Sequence, residues 1–541
     1  MNLNLLYRDR EWGSAAPYRD WLSITKDLEL NSLFKAAETD NVVRTKRIAD
    51  IAKGDPYLGQ AVKRVMAVPL KTAEEIRYRQ DILKDCFTKQ GMVDELYRLS
   101  TRVLSEWDRL GRKNNAAGEV GTKGKLITDI KVFKLLVDGM RDVKKTVLLN
   151  RAGLESEGWQ GLCERLENEF SDERQTNLYI FLDSMSFYSD IYENERKRNE
   201  YLVRIPKMRL ECGLSNGLKV GDFRIDSLES KAIEYDRQFG MGNKIADRIT
   251  SLAPGVISLR NDQALKEDAE KLEFAVVSYV YSFCTDLVAD FGSFFDQLHF
   301  QMGFYLGAIN IKSQMVRFNI DYCYPETDEE NRLRYEELRE LILSFSLNGR
   351  TVANTGRLDD KQLVIITGAN QGGKSTFLRS LGVAQVMMQC GLIVAAKRYR
   401  SPIQTSIYTH FTRREDSAMN SGRLDEELRR MDRIVNGLTK GSLVLLNESF
   451  ATTTEKDGSA IAYGIVKALK EAGVKVYTVT HLLSFAQQMY EETKDDSSVV
   501  FLSAEHLEDG QRTFRMIHHA PELTSFGLEL YDRVLGEDES K

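Results

Sequence analysis

A chain of 541 residues with 75 Lys+Arg against 81 Asp+Glu carries a net charge of −6, which argues against a protein that coats nucleic acid through bulk positive charge. Its 42% hydrophobic and 29% charged residues are an ordinary globular composition, and the length supplies cores for several domains without disulfide or metal staples. Six scattered cysteines (Cys86, Cys163, Cys212, Cys284, Cys323, Cys390) form no C-x-x-C pair, which argues against a zinc site of the usual spacing and fits a reducing compartment.

The first residues, MNLNLLYRDREWGS, place charges where a signal peptide needs an apolar stretch, and the longest apolar run, near Phe274–Cys284, is too short to cross a bilayer. A cytoplasmic protein with no membrane partner is expected. None of the eight prolines falls between Leu70 and Ile205, which permits long helices there. Met92, Leu96, Leu99, Val103, Trp107 and Leu110 draw one apolar stripe at helical spacing, and Leu126, Ile130, Phe133, Val137 and Met140 draw a second. Between them Gly111–Lys125 reads as a polar connector. A further helix is predicted over about Asp262–Val316, apolar almost all round and therefore buried, with His299 as a core residue. From about residue 341 short β-type runs alternate with helices: Leu363–Ile366, Ser442–Leu446, Val474–Val479 and Ser498–Leu502. That alternation predicts a multidomain chain of α and α/β type, with a helical region over 1–340 and, over 341–541, a three-layer domain built on a mainly parallel sheet.

The sharpest motif is TGANQGGKST, Thr367–Thr376, which follows one of those strands and opens a helix. Gly368, Ala369, Asn370, Gln371, Gly372 and Gly373 form a loop whose N–H groups curl around phosphate oxygens, and the helix N-terminus adds positive partial charge. Lys374 supplies a full charge to the β- and γ-phosphates of ATP, and the Ser375 hydroxyl, next to Thr376, is a ligand for Mg²⁺. Downstream, the apolar strand LVLL ends in Asn447 and Glu448, a Walker B arrangement in which the first position usually holds Asp. Asn447 still offers a carbonyl oxygen to the metal but no charge, so weaker metal binding and slower hydrolysis are expected. Glu448 is placed to orient or deprotonate the attacking water. His481, at the end of the next strand, is a candidate to reach the γ-phosphate or to order that water.

Together these elements resemble the MutS family of dimeric ATPases. TGANQGGKST is similar to the family's P-loop, and LLNESFATTTEKDGSAIA (Leu445–Ala462) aligns without a gap with its Walker B and following loop. Ile407–Asp416 is similar to the stretch around the family's FTR triplet, and Thr524–Gly536 to its closing helix. The resemblance implies an ABC-type P-loop ATPase domain preceded by helical core and lever elements, with Pro69–Leu83 and Asp296–Pro325 as the weaker matches in the core. It implies that Asn354 borders the adenine. It also implies that Asn420–Leu428 is presented to the partner's γ-phosphate, with Ser421 as the trans-acting residue and Leu424 as a rival register. The implied assembly is a homodimer whose ATP-driven closure acts on DNA.

The mismatch-reading members carry an aromatic F-x-E wedge, and this sequence contains no F-x-E, so direct mismatch recognition is not expected. Basic groups at Arg196–Arg198, Arg204–Arg209 and Lys397–Arg400 are candidate phosphate contacts and equally plausible solvated surface. The function expected is therefore an ATP-dependent DNA-binding clamp in repair or recombination. The alternative is a nucleotide-gated interaction module with slow or no turnover, acting on a protein, RNA or ribosome partner.

Overall fold

The computed structural model describes residues 3–9, 15–38, 54–116, 122–182, 207–215, 219–229, 263–412, 422–506 and 512–521. In chain order the N-terminal part contains α1 (Trp21–Asp27), α2 (Leu30–Glu38), α3 (Pro56–Met66), α4 (Ala73–Thr88), α5 (Gln90–Ala116), α6 (Thr122–Leu149) and α7 (Glu157–Glu169). An antiparallel hairpin, β1 (Lys207–Ser215) and β2 (Lys219–Glu229), and a long helix, α8 (Gln263–Arg317), follow. Next come β3 (Glu326–Thr327), β4 (Arg334–Leu338), α9 (Leu341–Ser346), β5 (Asn354–Arg357), β6 (Leu363–Thr367), α10 (Lys374–Gln389), β7 (Arg398–Ser401) and β8 (Ile407–Phe411). The C-terminal part holds α11 (Arg423–Val435), β9 (Leu443–Asn447), α12 (Glu455–Glu471), β10 (Lys475–Val479), α13 (Leu483–Thr493), β11 (Val499–His506) and β12 (Arg512–His518).

Contacts divide the chain into two compact units. One comprises Met1–Leu3, Arg98–Leu149 and Cys163–His299; the other comprises Asn4–Tyr97, Asn150–Leu162 and Phe300–Lys541. In the first unit Leu99 and Val103 of α5 and Ile130, Phe133, Val137 and Met140 of α6 are buried, as their spacing predicts. Phe133 stacks on Phe291 of α8, with ring centroids 6.0 Å apart, and Phe170 meets Phe291 edge-on at 6.3 Å. The His299 Nδ1 lies 3.4 Å from both the Ser100 and Thr101 hydroxyls. The connector is shorter than the sequence reading: α5 runs through Gly111 to Ala116 and α6 starts at Thr122. A glycine costs only about 1 kcal/mol in a helix, too little to end one whose apolar stripe is packed.

The second unit is built on a six-stranded sheet in the order β12-β11-β6-β10-β9-β8. Five neighbouring strands are parallel, and β12 pairs antiparallel with β11 at one edge. Leu363–Ile366 of β6 and Leu443–Leu446 of β9 are buried throughout, the signature of parallel strands covered on both faces. The apolar faces of α12 and α13 join them, with Val466, Leu469, Phe485 and Met489 in one core with Leu363, Val444 and Val476. A second sheet, β3-β7-β4-β5, is absent from the sequence reading because strands of two to five residues leave no periodic trace.

Strand β7 and the residue before it carry the Lys397–Arg400 group. Lys397 pairs with Glu337, Arg398 lies 3.7 Å from Glu336, and Arg400 pairs with Glu326, so the patch is balanced by carboxylates of its own sheet. Arg196–Arg198 and Arg204 lie outside the described residues. Among the described residues, no helix is long and apolar enough to cross a membrane, and no group of three His, Cys, Asp or Glu side chains is placed to hold a metal ion.

The far end of α10 is anchored from α4 and the segment before it. The Leu70 N–H donates to Gln389 O at 2.7 Å, and the fully buried Arg79 guanidinium donates to Cys390 O at 3.0 Å and to Leu6 O at 2.9 and 3.1 Å. The Tyr7 ring lies 4.9 Å from the same guanidinium.

Candidate functional site

Strand β6 ends at Thr367 and α10 begins at Lys374; the intervening loop turns through left-handed backbone at Gly368 (φ +106°), Gln371 (φ +62°) and Gly373 (φ +89°). At Gly368 a Cβ would stand 2.7 Å from Ser503 Oγ and 3.0 Å from Ala504 N, so both the conformation and the space require glycine. Gly373 is the N-cap of α10 and supplies no capping side chain, which leaves the first N–H groups of the helix for a ligand. The Lys374 side chain is buried, and its ammonium donates to Gly368 O at 2.7 Å and Ala369 O at 2.9 Å. Burial pulls its pKa below the ordinary lysine value, while the nearby Glu448 carboxylate opposes that shift.

A cavity of about 430 Å³ opens over this loop. Asn370–Thr376, Glu448 and Asn354 line it, together with Glu340, Val352 and Phe514. Glu448 follows the last residue of β9 in a left-handed conformation (φ +53°), and its N–H donates to Val479 O at 2.9 Å. Beside it the Asn447 Oδ1 is buried with no hydrogen-bond partner, as is the Thr367 Oγ1 at the end of β6. A buried orphan oxygen is costly in a protein and is satisfied by a cation or a donor from a ligand, so this donor set fits a bound Mg²⁺.

The structure thus brings Asn370–Thr376, Glu448 and Asn354 to one cavity and sets Asn447 next to it, while Gly368 and Ala369 do not line it and instead accept from the Lys374 ammonium through their carbonyls. Asn354 is partly engaged elsewhere: its Oδ1 accepts from Met516 N at 2.8 Å and its Nδ2 donates to Phe514 O at 3.4 Å, which braces β12 against β5. His481 is exposed two residues beyond β10 and is not among the cavity-lining residues. Ser421 lies outside the described residues; Leu424 is the second residue of α11.

Phe514 and Glu340 are among the lining residues that escaped the sequence reading. Phe514 on β12 has φ +58°, is 44% exposed, and packs over Gly373. Nothing in its own segment marks it, because its place depends on the antiparallel pairing with β11. Glu340 caps α9 with its carboxylate on Leu343 N, and burial raises its pKa to about 7. A glutamate immediately before an apolar L-I-L run was the available signal.

Comparison with known families matches residues 364–534 to the model described as MutS domain V and residues 71–192 to the MutS2 N-terminal domain. The DNA mismatch repair protein MutS of Thermotoga neapolitana is 38% identical over 125 residues, covering 23% of this chain and 16% of that protein. The DNA mismatch repair protein MutS of a Synechococcus species is 24% identical over 448 residues, covering 76% of this chain and 47% of that protein. The chain therefore spans about half or less of the length of these relatives. With a MutS domain V match over the phosphate loop and a MutS2 match in the helical part, the chain is a MutS-related protein.

Proposed function

We propose that this chain is an ATP-dependent DNA-binding clamp of the MutS-related type, working as a homodimer in DNA repair or recombination. Residues 341–541 would form the ATPase domain and residues 1–340 the helical core and lever region. The observation that carries the reading is the convergence of Lys374, Ser375 and Glu448 on one cavity at the N-terminus of α10.

In this reading the glycine loop and Lys374 hold the triphosphate, and the ammonium exchanges its loop carbonyls for phosphate oxygens. Ser375 and Asn447 would hold the magnesium ion, which when bound neutralises charge on the phosphates. Glu448 orients and deprotonates the attacking water, with His481 as a second candidate at the same end of the sheet. Ser421 from the partner chain would complete the site, so that ATP favours the closed dimer by contacting both halves. Support for a DNA ligand comes from relatives that bear the name DNA mismatch repair protein.

One observation favours a second reading. Asn447 contributes no charge where the family's first Walker B residue is an aspartate, which suits a nucleotide-gated interaction module with slow or no hydrolysis, acting on a protein or ribonucleoprotein. Steady-state ATP hydrolysis, with and without duplex, mismatched and branched DNA and structured RNA at a stated salt concentration, separates the two. Turnover stimulated by DNA and abolished in Lys374→Ala supports the clamp. ATP binding without turnover under every condition refutes it in favour of the module.

A further inference from the structure

The backbone around Glu448 is bent twice into the left-handed region, at Glu448 itself (φ +53°) and at Phe450 (φ +65°), neither of them glycine. Non-glycine residues hold such conformations only where the surroundings over-determine them. Here the surroundings converge on Glu427 of α11, which is buried and does not line the cavity. Its Oε2 accepts from Phe450 N at 3.0 Å and from Thr452 Oγ1 at 3.1 Å. Its Oε1 lies 3.4 Å from the Thr412 Oγ1, and that hydroxyl donates to the Glu448 carbonyl at 2.5 Å. A second tie runs in parallel: His410 of β8 stacks on Phe450 with ring centroids 5.4 Å apart, its Nδ1 lies 2.7 Å from Ser449 Oγ, and its Nε2 faces Glu427 O at 3.1 Å. Arg430, one turn along α11, fixes the helix by donating to Phe411 O at 2.9 Å and pairing with the buried Asp27 at 3.2 Å.

We propose that Glu427 is a positioning residue for hydrolysis: through the Phe450 amide and the Thr452 hydroxyl it holds the bend that presents Glu448 to the cavity. The inference rests on the ATPase reading above, because it assigns Glu427 its value through Glu448. A carboxylate suits the task, since it is acceptor-only and two donors, the Phe450 amide and the Thr452 hydroxyl, share its Oε2. Alanine removes that acceptor, whereas a glutamine can keep its carbonyl oxygen on both donors and turn its NH₂ to the Thr412 oxygen, at the loss of the charge.

The test uses the full chain, with Glu427→Ala as the variant that removes the acceptor and Glu427→Gln as the conservative one. Glu427→Ala should lower kcat roughly 10- to 100-fold, the scale set by an ångström-sized misplacement, with the affinity for a fluorescent ATP analogue unchanged. Glu427→Gln should fall in between. In a Glu448→Ala background, Glu427→Ala should cause no further loss, because a residue acting only through another has nothing left to position. Wild-type kcat in Glu427→Ala, or losses that multiply in the double variant, would overturn the assignment. If the wild-type chain shows no turnover, the ATPase reading falls. The positioning is then read by hydrogen exchange, where the Phe450 amide should exchange at least about 10-fold faster in Glu427→Ala. Unchanged exchange refutes it.

Discussion

Replacing Asn447 by aspartate sets a carboxylate where the structure has a buried, unpartnered amide oxygen. Without metal, that oxygen has no hydrogen-bond partner to compensate the charge. A buried polar group left without a partner costs about 1–3 kcal/mol, more when charged, so a loss of about 2 kcal/mol is expected in EDTA. At about 2–4 °C per kcal/mol for a large domain, Tm falls by roughly 4–8 °C. Burial raises the folded pKa of such a carboxyl above its unfolded value, so the folded state binds the extra proton. The deficit is full near neutral pH and shrinks as pH falls toward about 4, where both states are protonated. With Mg²⁺ and a slowly hydrolysed ATP analogue the sign reverses, because the charge now meets a cation. Asn447→Asp should then gain more in Tm from the pair than the wild type does. Scanning fluorimetry in EDTA and in Mg²⁺ with nucleotide measures both arms. A variant whose Tm rises in EDTA, or whose gain from Mg²⁺ and nucleotide equals that of the wild type, would refute placing Asn447 in the metal's reach.

Two further outcomes concern stability. Arg79→Met removes the donors to Leu6 O and Cys390 O, leaving two buried carbonyls without them, and should cost about 2–4 kcal/mol by urea denaturation, with Arg79→Lys restoring only part; a change within about 0.5 kcal/mol would show that relief of the buried charge offsets the loss. The Glu340 carboxyl, raised by burial to about 7 from its ordinary 4.5, binds its proton more tightly folded than unfolded, so its contribution to stability is full below about pH 4.5 and declines as pH rises through about 7, by up to roughly 3 kcal/mol. Glu340→Gln should flatten that part of the stability–pH curve, and an unaltered slope would point to other groups.

The phosphate loop was legible in the sequence because its physics is local. Gly368, Gly373 and Lys374 act through backbone conformation and a helix start that lie within ten residues of one another, and the strand before them is a continuous apolar run. The mainly parallel character of the sheet followed from β–α alternation, but its strand order and β12 did not, since the place of β12 depends on pairing with β11 and on the Asn354 amide 162 residues away in sequence. Glu427 reads in the sequence as one of two consecutive glutamates on a strongly charged helix. Only folding reveals that it is buried and faces the Phe450 amide while Glu426 is only partly buried. The small second sheet escaped for a related reason: its strands are too short for periodicity, and their pairings join segments far apart in the sequence, such as Glu326 with Arg400.

Helix α10 is a 16-residue rod about 24 Å long, with the phosphate cradle at one tip and Gln389 and Cys390, held by Leu70 and Arg79, at the other. Such a rod bends little over four turns. A tilt imposed by an arriving anion therefore has two outlets: slippage at the clamped tip, where two hydrogen bonds to its carbonyls resist it, or a matching displacement of α4. The nucleotide loop and the start of the helical core are in that sense opposite handles of a single crank.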